Sequence, residues 1–114
     1  MDRLQTRVNS SDVSFKANHE HNSTLLATLR ERLDGVQEGG GGKYVEKHRS
    51  RGKALPRERI SAICDPGTPF LELSPLAAHD LYDGKAASAG MVTGIGVVHG
   101  KECLFVANDA SGKG

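Results

Sequence analysis

The stretch from residue 47 to residue 74 constrains the fold most, because a basic segment, a proline, a turn and a short apolar run follow one another in it. Pro56 suits the first position of a short helix, where its missing N–H costs nothing. The sequence Asp65-Pro66-Gly67 predicts a tight turn that ends this helix. Residues 70–73 should then leave the turn as a strand, so the order of elements predicts an α/β fold.

A β-hairpin is predicted near the end of the sequence. Residues 91–98 and 102–107 are rich in β-branched and apolar side chains, and His99-Gly100-Lys101 separates them. The second run is apolar at successive positions, so we expect it to be covered on both faces. The 114 residues contain little material for such a cover. We therefore expect the chain to be a truncated segment of a larger fold.

An amphipathic helix is predicted over residues 23–38, and its start could lie as early as Asp12. Four glycines at 39–42 should end it and act as a flexible joint. These signals divide the chain into two parts. The first, residues 1–42, holds the helix and the glycine joint, and the second, residues 43–114, begins a separate domain.

Composition excludes several classes of protein. The net charge of +1 argues against a dedicated nucleic-acid-binding or membrane protein. Two cysteines, Cys64 and Cys103, lie far apart in apolar runs, which disfavours a disulfide framework and a zinc ribbon. The polar opening lacks the apolar core of a secretory signal, so a cytosolic location is expected.

A run of basic residues offers one candidate binding surface. Three partners remain open for it: RNA, a phosphorylated cofactor, or only water and acidic neighbours. RNA is disfavoured because Tyr44 is the one aromatic residue close enough for base stacking. The glycines at 39–42 and the Lys43 that follows do not complete a P-loop. The basic residues of the run are Lys43, Lys47, Arg49, Arg51, Lys53, Arg57 and Arg59.

The residues after the last predicted strand are a second candidate. Asn108-Asp109-Ala110-Ser111-Gly112 follows an apolar strand, and ligands of open α/β folds bind beyond the carboxyl ends of strands. Backbone N–H groups in such a turn could face a thioester oxygen. A plain loop is the alternative. No nucleophile motif is found, and the five histidines are scattered, so no catalytic side chain is predicted.

Taken together, these segments resemble the carboxyltransferase (β) subunits of biotin-dependent acyl-CoA carboxylases, from about residue 23 to residue 114. Residues 70–74 and the Ala-Asn-Asp-Ala sequence that begins at Ala107 resemble the methylcrotonoyl-CoA carboxylase branch most. The chain departs from that branch at Ser111-Gly112, where Thr-Val is usual. The segments that carry the resemblance are the glycine cluster 39–42, Lys47-His48, Arg51-Gly52-Lys53, Pro56-Arg57-Glu58-Arg59-Ile60, Asp65-Pro66-Gly67, Thr93-Gly94-Ile95-Gly96, Ala107-Asn108-Asp109-Ala110 and Lys113-Gly114.

The resemblance implies a crotonase-like carboxyltransferase N-terminal domain, of which this chain holds the first helices and strands. It implies transfer of a carboxyl group from carboxybiotin, carried by a biotin carboxylase and biotin carboxyl carrier (α) subunit, to 3-methylcrotonoyl-CoA in leucine breakdown. Other β subunits would be further partners, and this segment would hold no metal. The oxyanion-forming glycines of the family lie beyond Gly114, so the isolated chain is expected to be inactive.

Within this family, two groups of residues are expected to contact the CoA thioester. Lys53, Arg57 and Arg59 are candidates for the CoA phosphates. The acyl-CoA pocket turn is expected at Asn108, Ser111 and Gly112.

Two alternatives to the methylcrotonoyl-CoA carboxylase assignment remain. One is a subunit of a related geranoyl- or propionyl-CoA carboxylase, and the other is a small RNA-binding or scaffold protein. The opening resembles a bacterial, cytoplasmic member. A eukaryotic member would lie in the mitochondrial matrix.

Overall fold

The computed structural model describes residues 3–112 of the chain. Three helices precede a three-stranded antiparallel sheet of order β1-β2-β3. Contacts between Cα atoms separate the residues up to Glu31 from those that follow. The expected division between residues 42 and 43 stays a prediction. The elements are α1 (Val13–Gln37), α2 (Gly42–Ser50), α3 (Pro56–Ile63), β1 (Leu71–Leu73), β2 (Met91–Val98) and β3 (Lys101–Asn108).

Helix α1 confirms the predicted amphipathic helix and begins at the early end of the expected range, at Val13. Leucines 25, 26 and 29 on this helix are all exposed. Among residues 3–112, no helix has the length and apolarity that crossing a bilayer requires.

The unit that begins at Arg32 is built on the hairpin of β2 and β3. Their register places Gly94 opposite Phe105 and Gly96 opposite Cys103. His99 and Gly100 both have positive φ, 49° and 72°, which is the geometry of a two-residue hairpin turn that follows the strand twist. The predicted hairpin is confirmed, and Lys101 is the first residue of β3.

One face of the sheet packs against α3. Ile60 of α3 is buried, and Phe70 and Phe105 meet edge to face with their ring centroids 5.9 Å apart. Gly94 and Gly96 are buried because these rings occupy the space where side chains would stand. The core of this unit therefore lies between α3 and one side of the sheet.

Within residues 3–112, β3 is covered on one face, and the expectation that it is covered on both faces stays a prediction. Leu104 and Val106 are 70% and 64% exposed, whereas Cys103 and Phe105 are half-buried on the packed side. The physical reason is that α3 contacts one side of the hairpin, and no described element lies over the other.

Helix α2 was missed by the sequence reasoning. It contains much of the basic run, and its only apolar residues, Tyr44 and Val45, are adjacent, which is too few to show the helical recurrence that identifies surface helices. It ends at Ser50, and Gly52, with a φ of 72°, donates its N–H to the carbonyl of Arg49. The basic run is thus partly helical.

Asp65 anchors the hairpin turn to the end of α3. Its two carboxylate oxygens accept the N–H groups of His99 and Gly100, each at 2.7 Å. Its own N–H donates to the carbonyl of Val97. The N–H of Gly100, followed by that of His99, lowers the pKa of the Asp65 carboxyl below its ordinary value.

Replacing Asp65 by asparagine is expected to remove a pH-dependent part of the stability. An unfolded aspartate has a pKa of about 3.9, and the pKa of folded Asp65 lies lower. The stabilisation by the Asp65 carboxylate is therefore complete above the unfolded pKa. It is lost as the pH falls through the folded pKa. Urea unfolding over about pH 2 to 6 measures it. Asp34→Asn on exposed α1 surface is the control. Identical pH profiles for the parent and both variants would contradict the expectation.

Candidate functional site

Three of the six predicted site residues line one groove. The groove has a volume of about 860 Å³ and lies between α3 and the carboxyl-terminal half of β3. Lys53, Arg59 and Asn108 stand along it. Its apolar lining includes Ile60, Ile63, Phe105 and Ala107. The sequence placed these three residues in two separate groups, and the fold brings them together.

Arg59 joins α3 to the end of β3. Its Nη2 donates to the carbonyl oxygen of Asn108 at 3.1 Å. Lys53 follows α2 and is exposed, as is Arg59. Neither forms an ion pair with a residue in the range 3–112. Two cations next to an apolar lining form a surface that can bind an anionic group attached to an apolar body.

Arg57 lies away from this groove and bonds within the fold. Its Nε and Nη2 donate to the two carboxylate oxygens of Glu72 at 3.0 and 2.5 Å. Its Nη1 donates to the carbonyl of Val36, and Nη2 also reaches the hydroxyl of Ser88. The side chain is only 19% exposed. The structure does not place Arg57 with Lys53 and Arg59, and its role as a phosphate ligand stays a prediction.

Ser111 and Gly112 lie in a separate place, against the glycines that follow α1. Ser111 is 1% exposed, and its hydroxyl and N–H both donate to Oδ1 of Asp109, at 2.5 and 2.9 Å. The N–H of Gly40 donates to the Ser111 hydroxyl oxygen at 3.2 Å. Gly112 lines a pocket of about 310 Å³ beside the glycine segment. The acyl-pocket role of this turn stays a prediction.

Asp109 is a structural residue that the sequence reasoning passed over. It is buried, it accepts both donors of Ser111, and its N–H donates to the carbonyl of Gly90. The sequence Asp-x-Ser could have indicated this role, because aspartate in turns accepts the backbone N–H of the residue two positions later. Asp109 therefore holds the turn that follows Asn108.

Another part of the basic run is ion-paired. Glu58 accepts the N–H of Leu55 at 2.8 Å and the guanidinium of Arg49 at 2.5 Å. These contacts, the Leu55 N–H first, lower the pKa of the Glu58 carboxyl. The alternative that the run meets acidic neighbours thus holds for Arg49 and Arg57.

Metal-ligating side chains do not cluster within residues 3–112, where no group of three histidine, cysteine, aspartate or glutamate residues could hold an ion. Both cysteines are free and half-buried. What the described residues can do chemically is bind an anion at the groove. Lys113 and Gly114, which contribute to the sequence resemblance, lie outside the described residues.

Known proteins similar to this chain include biotin-dependent carboxylases. A protein of Drosophila melanogaster named probable methylcrotonoyl-CoA carboxylase beta chain, mitochondrial, is 48% identical over 112 residues, which are 97% of this chain and 19% of that protein. A Mycobacterium tuberculosis protein named biotin-dependent 3-methylcrotonyl-coenzyme A carboxylase beta1 subunit is 48% identical over 101 residues, 89% of this chain and 18% of that one. The chain spans about a fifth of the length of these relatives.

The fold is shared with a solved carboxylase subunit. The crystal structure of the geranyl-CoA carboxylase beta subunit of P. aeruginosa matches with a TM-score of 0.78 and 34% identity, covering 95% of this chain and 20% of that one. The predicted fold class, an α/β segment of a crotonase-like carboxyltransferase, is confirmed by this match. The carboxyl transferase domain model also matches residues 47–114, which include α3, the hairpin and both sides of the groove. The chain belongs to the carboxyl transferase domain family.

Proposed function

We propose that the chain is part of the carboxyltransferase subunit of a methylcrotonoyl-CoA carboxylase, which moves a carboxyl group from carboxybiotin to 3-methylcrotonoyl-CoA. The observation that carries the proposal is 48% identity, over nearly the whole chain, to a protein named for this activity. Identity to the geranyl-CoA carboxylase subunit is 34%. The biotin carboxylase and biotin carrier subunit, and further β subunits, are the proposed partners.

The described residues contribute a binding surface for the CoA thioester in this proposal. CoA carries phosphate groups on a partly apolar body, and the groove offers the cations of Lys53 and Arg59 beside Ile63 and Phe105. Carboxybiotin, held by the partner subunit, supplies the carboxyl group when it is bound. The Arg59 bond to the Asn108 carbonyl keeps α3 in register with the turn held by Asp109.

The compartment belongs to the proposal as well. The similar proteins include a mitochondrial one from Drosophila melanogaster and a bacterial one. We propose the cytoplasm for a bacterial source and the mitochondrial matrix for a eukaryotic one.

The proposal is tested with the reading frame that contains this chain. Sequencing beyond the codon for Gly114 shows whether carboxyl transferase sequence continues. The full-length product, co-expressed with the biotin-carrying subunit, is then assayed for bicarbonate fixation on 3-methylcrotonoyl-, geranoyl- and propionyl-CoA. The highest kcat/KM should belong to 3-methylcrotonoyl-CoA. A preference for another thioester would assign the subunit to a sibling carboxylase, and a frame without further carboxyl transferase sequence would refute the enzyme assignment.

Substitution of Lys53 or Arg59 by alanine is expected to raise KM for the acyl-CoA by about threefold to fivefold, since an exposed ion pair contributes at most about 1 kcal/mol. The value of kcat should change little, because the CoA phosphates take no part in the carboxyl transfer itself. Steady-state kinetics of the full-length carboxylase measures both constants. Lys101→Ala, an exposed lysine at the hairpin turn, is the matched control.

A phosphate contact also predicts selectivity among CoA analogues. If the groove binds the 3′-phosphate, 3′-dephospho acyl-CoA should show the same KM with the parent and with the Lys53 and Arg59 variants. Unchanged KM for the complete thioester in both variants would place the CoA phosphates elsewhere.

A further inference from the structure

The two cysteines of the chain lie on the same side of the sheet, beside one glycine. Gly96 of β2 stands directly opposite Cys103 of β3 in the strand register. A Cβ built on Gly96 would lie 2.7 Å from Sγ of Cys64, the residue that ends α3. The fold therefore brings together two thiols that are remote from each other in the sequence.

Cys103 points to the side of the sheet on which Cys64 packs. Side chains alternate along a strand, so Cys103 shares a face with Phe105, two residues later. The Phe105 ring comes within 3.1 Å of the same Cβ position on Gly96 and meets the ring of Phe70. Cβ atoms of directly opposite residues are about 4.5 to 5.5 Å apart. The Cys64 sulfur thus lies within about 8 Å of the Cys103 Cβ, and Gly96 contributes no side chain between them.

Both thiols are open to reaction. Each is free and half-buried. Cys64 lines a cavity of about 440 Å³. Sγ of Cys103 donates to the carbonyl oxygen of Lys101 at 3.6 Å, which is a weak bond. The cavity gives a small reagent access to Cys64, and the contact of Cys103 is weak enough to be exchanged.

The surroundings favour oxidation of this pair over metal binding. Asp65, the carboxylate next to Cys64 in the chain, already accepts the N–H groups of His99 and Gly100. Structural zinc takes four ligands. Across residues 3–112, no three potential ligands come together. The chemistry that two neighbouring thiols can perform is the formation of a disulfide.

We propose that Cys64 and Cys103 form a redox-sensitive pair that a low-molecular-weight disulfide, such as oxidised glutathione, converts into a disulfide bond. The thiolate of one cysteine attacks the S–S bond of the oxidant, forms a mixed disulfide and releases one glutathione. The thiolate of the other cysteine attacks the protein sulfur of the mixed disulfide and releases the second glutathione. The two glutathione thiolates take up the two protons that the cysteines lose, and the two electrons from the cysteines reduce the oxidant.

The disulfide would join the two walls of the groove. Cys64 ends α3, Cys103 lies in β3, and the groove lies between these elements. Because a disulfide holds its Cβ atoms about 3.5 to 4.5 Å apart, its formation would draw the end of α3 towards β3. Oxidation of the pair does not depend on which acyl-CoA the groove binds.

Peptide mapping of the full-length subunit, after equilibration with oxidised glutathione, tests the pair. Trypsin places Cys64 in the peptide 60–85 and Cys103 in the peptide 102–113. After alkylation of the remaining thiols, we expect most of these two peptides as one linked species, which dithiothreitol separates. Recovery of Cys64 and Cys103 only as alkylated thiols, or as mixed disulfides with glutathione, would overturn the proposal. So would linkage between isotopically light and heavy subunits in a mixed sample.

Moving one thiol by a single residue supplies the matched control. In the double variant Cys103→Ser, Leu104→Cys the cysteine stays in β3 but points to the opposite side of the sheet, where Leu104 is 70% exposed. The yield of linked peptide should fall by about tenfold or more, because that thiol cannot meet Cys64 in disulfide geometry. Linkage as complete as in the parent would show that the fold does not select the pair. The parent measurement needs no substitution, so it stands even if the variant folds poorly.

Discussion

Replacing Gly40 by alanine is expected to destabilise the chain by about 3 kcal/mol or more. An added Cβ would overlap the carbonyl group of Ser111 and lie 2.7 Å from Cα of Gly112. All of these are backbone atoms, which cannot swing aside as a flexible side chain would. Relief of the overlap would also break the bond from the Gly40 N–H to the Ser111 hydroxyl.

A neighbouring glycine supplies the control for this prediction. Gly42 begins α2, and a Cβ added there meets nothing within 4 Å. Gly42→Ala should therefore leave the stability unchanged or raise it slightly, since alanine favours the helix. Urea unfolding followed by circular dichroism compares the two variants with the parent. A Gly40→Ala chain as stable as the Gly42→Ala chain would show that the glycine segment does not pack on the turn after β3.

Replacing Arg57 by methionine is expected to cost about 3 to 5 kcal/mol of folding free energy, because it leaves the Glu72 carboxylate without its charged partner. Glu72 is only 15% exposed, so water replaces the lost bonds poorly. The change also removes the donor to the Val36 carbonyl, which ties the end of α1 to α3. The double variant Arg57→Met, Glu72→Leu should regain much of the loss, since both charges are then absent.

The exposed ion pair of Arg49 and Glu58 is the comparison. Its side chains are 57% and 44% exposed, and removing such a charge changes stability little because water solvates both groups. Denaturant unfolding of Arg49→Met and Arg57→Met tests the contrast within one chain. Equal losses in the two variants would mean that the Arg57–Glu72 pair stabilises no more than a surface contact.

Local signals in the sequence predicted much of the fold. Pro56 opens α3, and Gly67 takes the positive φ that the predicted turn demands. His99 and Gly100 form the hairpin turn. Each of these features depends on the dihedral preferences of one or two residues, and those preferences are known from the residue types alone. The apolar period likewise predicted α1, whereas α2, whose only apolar residues are Tyr44 and Val45, was missed.

The candidate site depended on contacts between distant parts of the chain. Nothing in the basic run distinguishes Arg57 from Arg59, which lie two positions apart on one short helix. Helical geometry turns them to different sides, so that Arg57 meets Glu72, fifteen residues away, while Arg59 reaches Asn108 across the groove.

The sequence by itself determined the order of helices and strands, the turns and the family, because these depend on neighbouring residues and on short motifs in a fixed order along the chain. Only the tertiary structure decided which cations line the groove, which glycine meets backbone, and which face of the sheet stays uncovered. Those outcomes depend on the distances between segments that are remote along the chain, and residue preferences do not specify such distances.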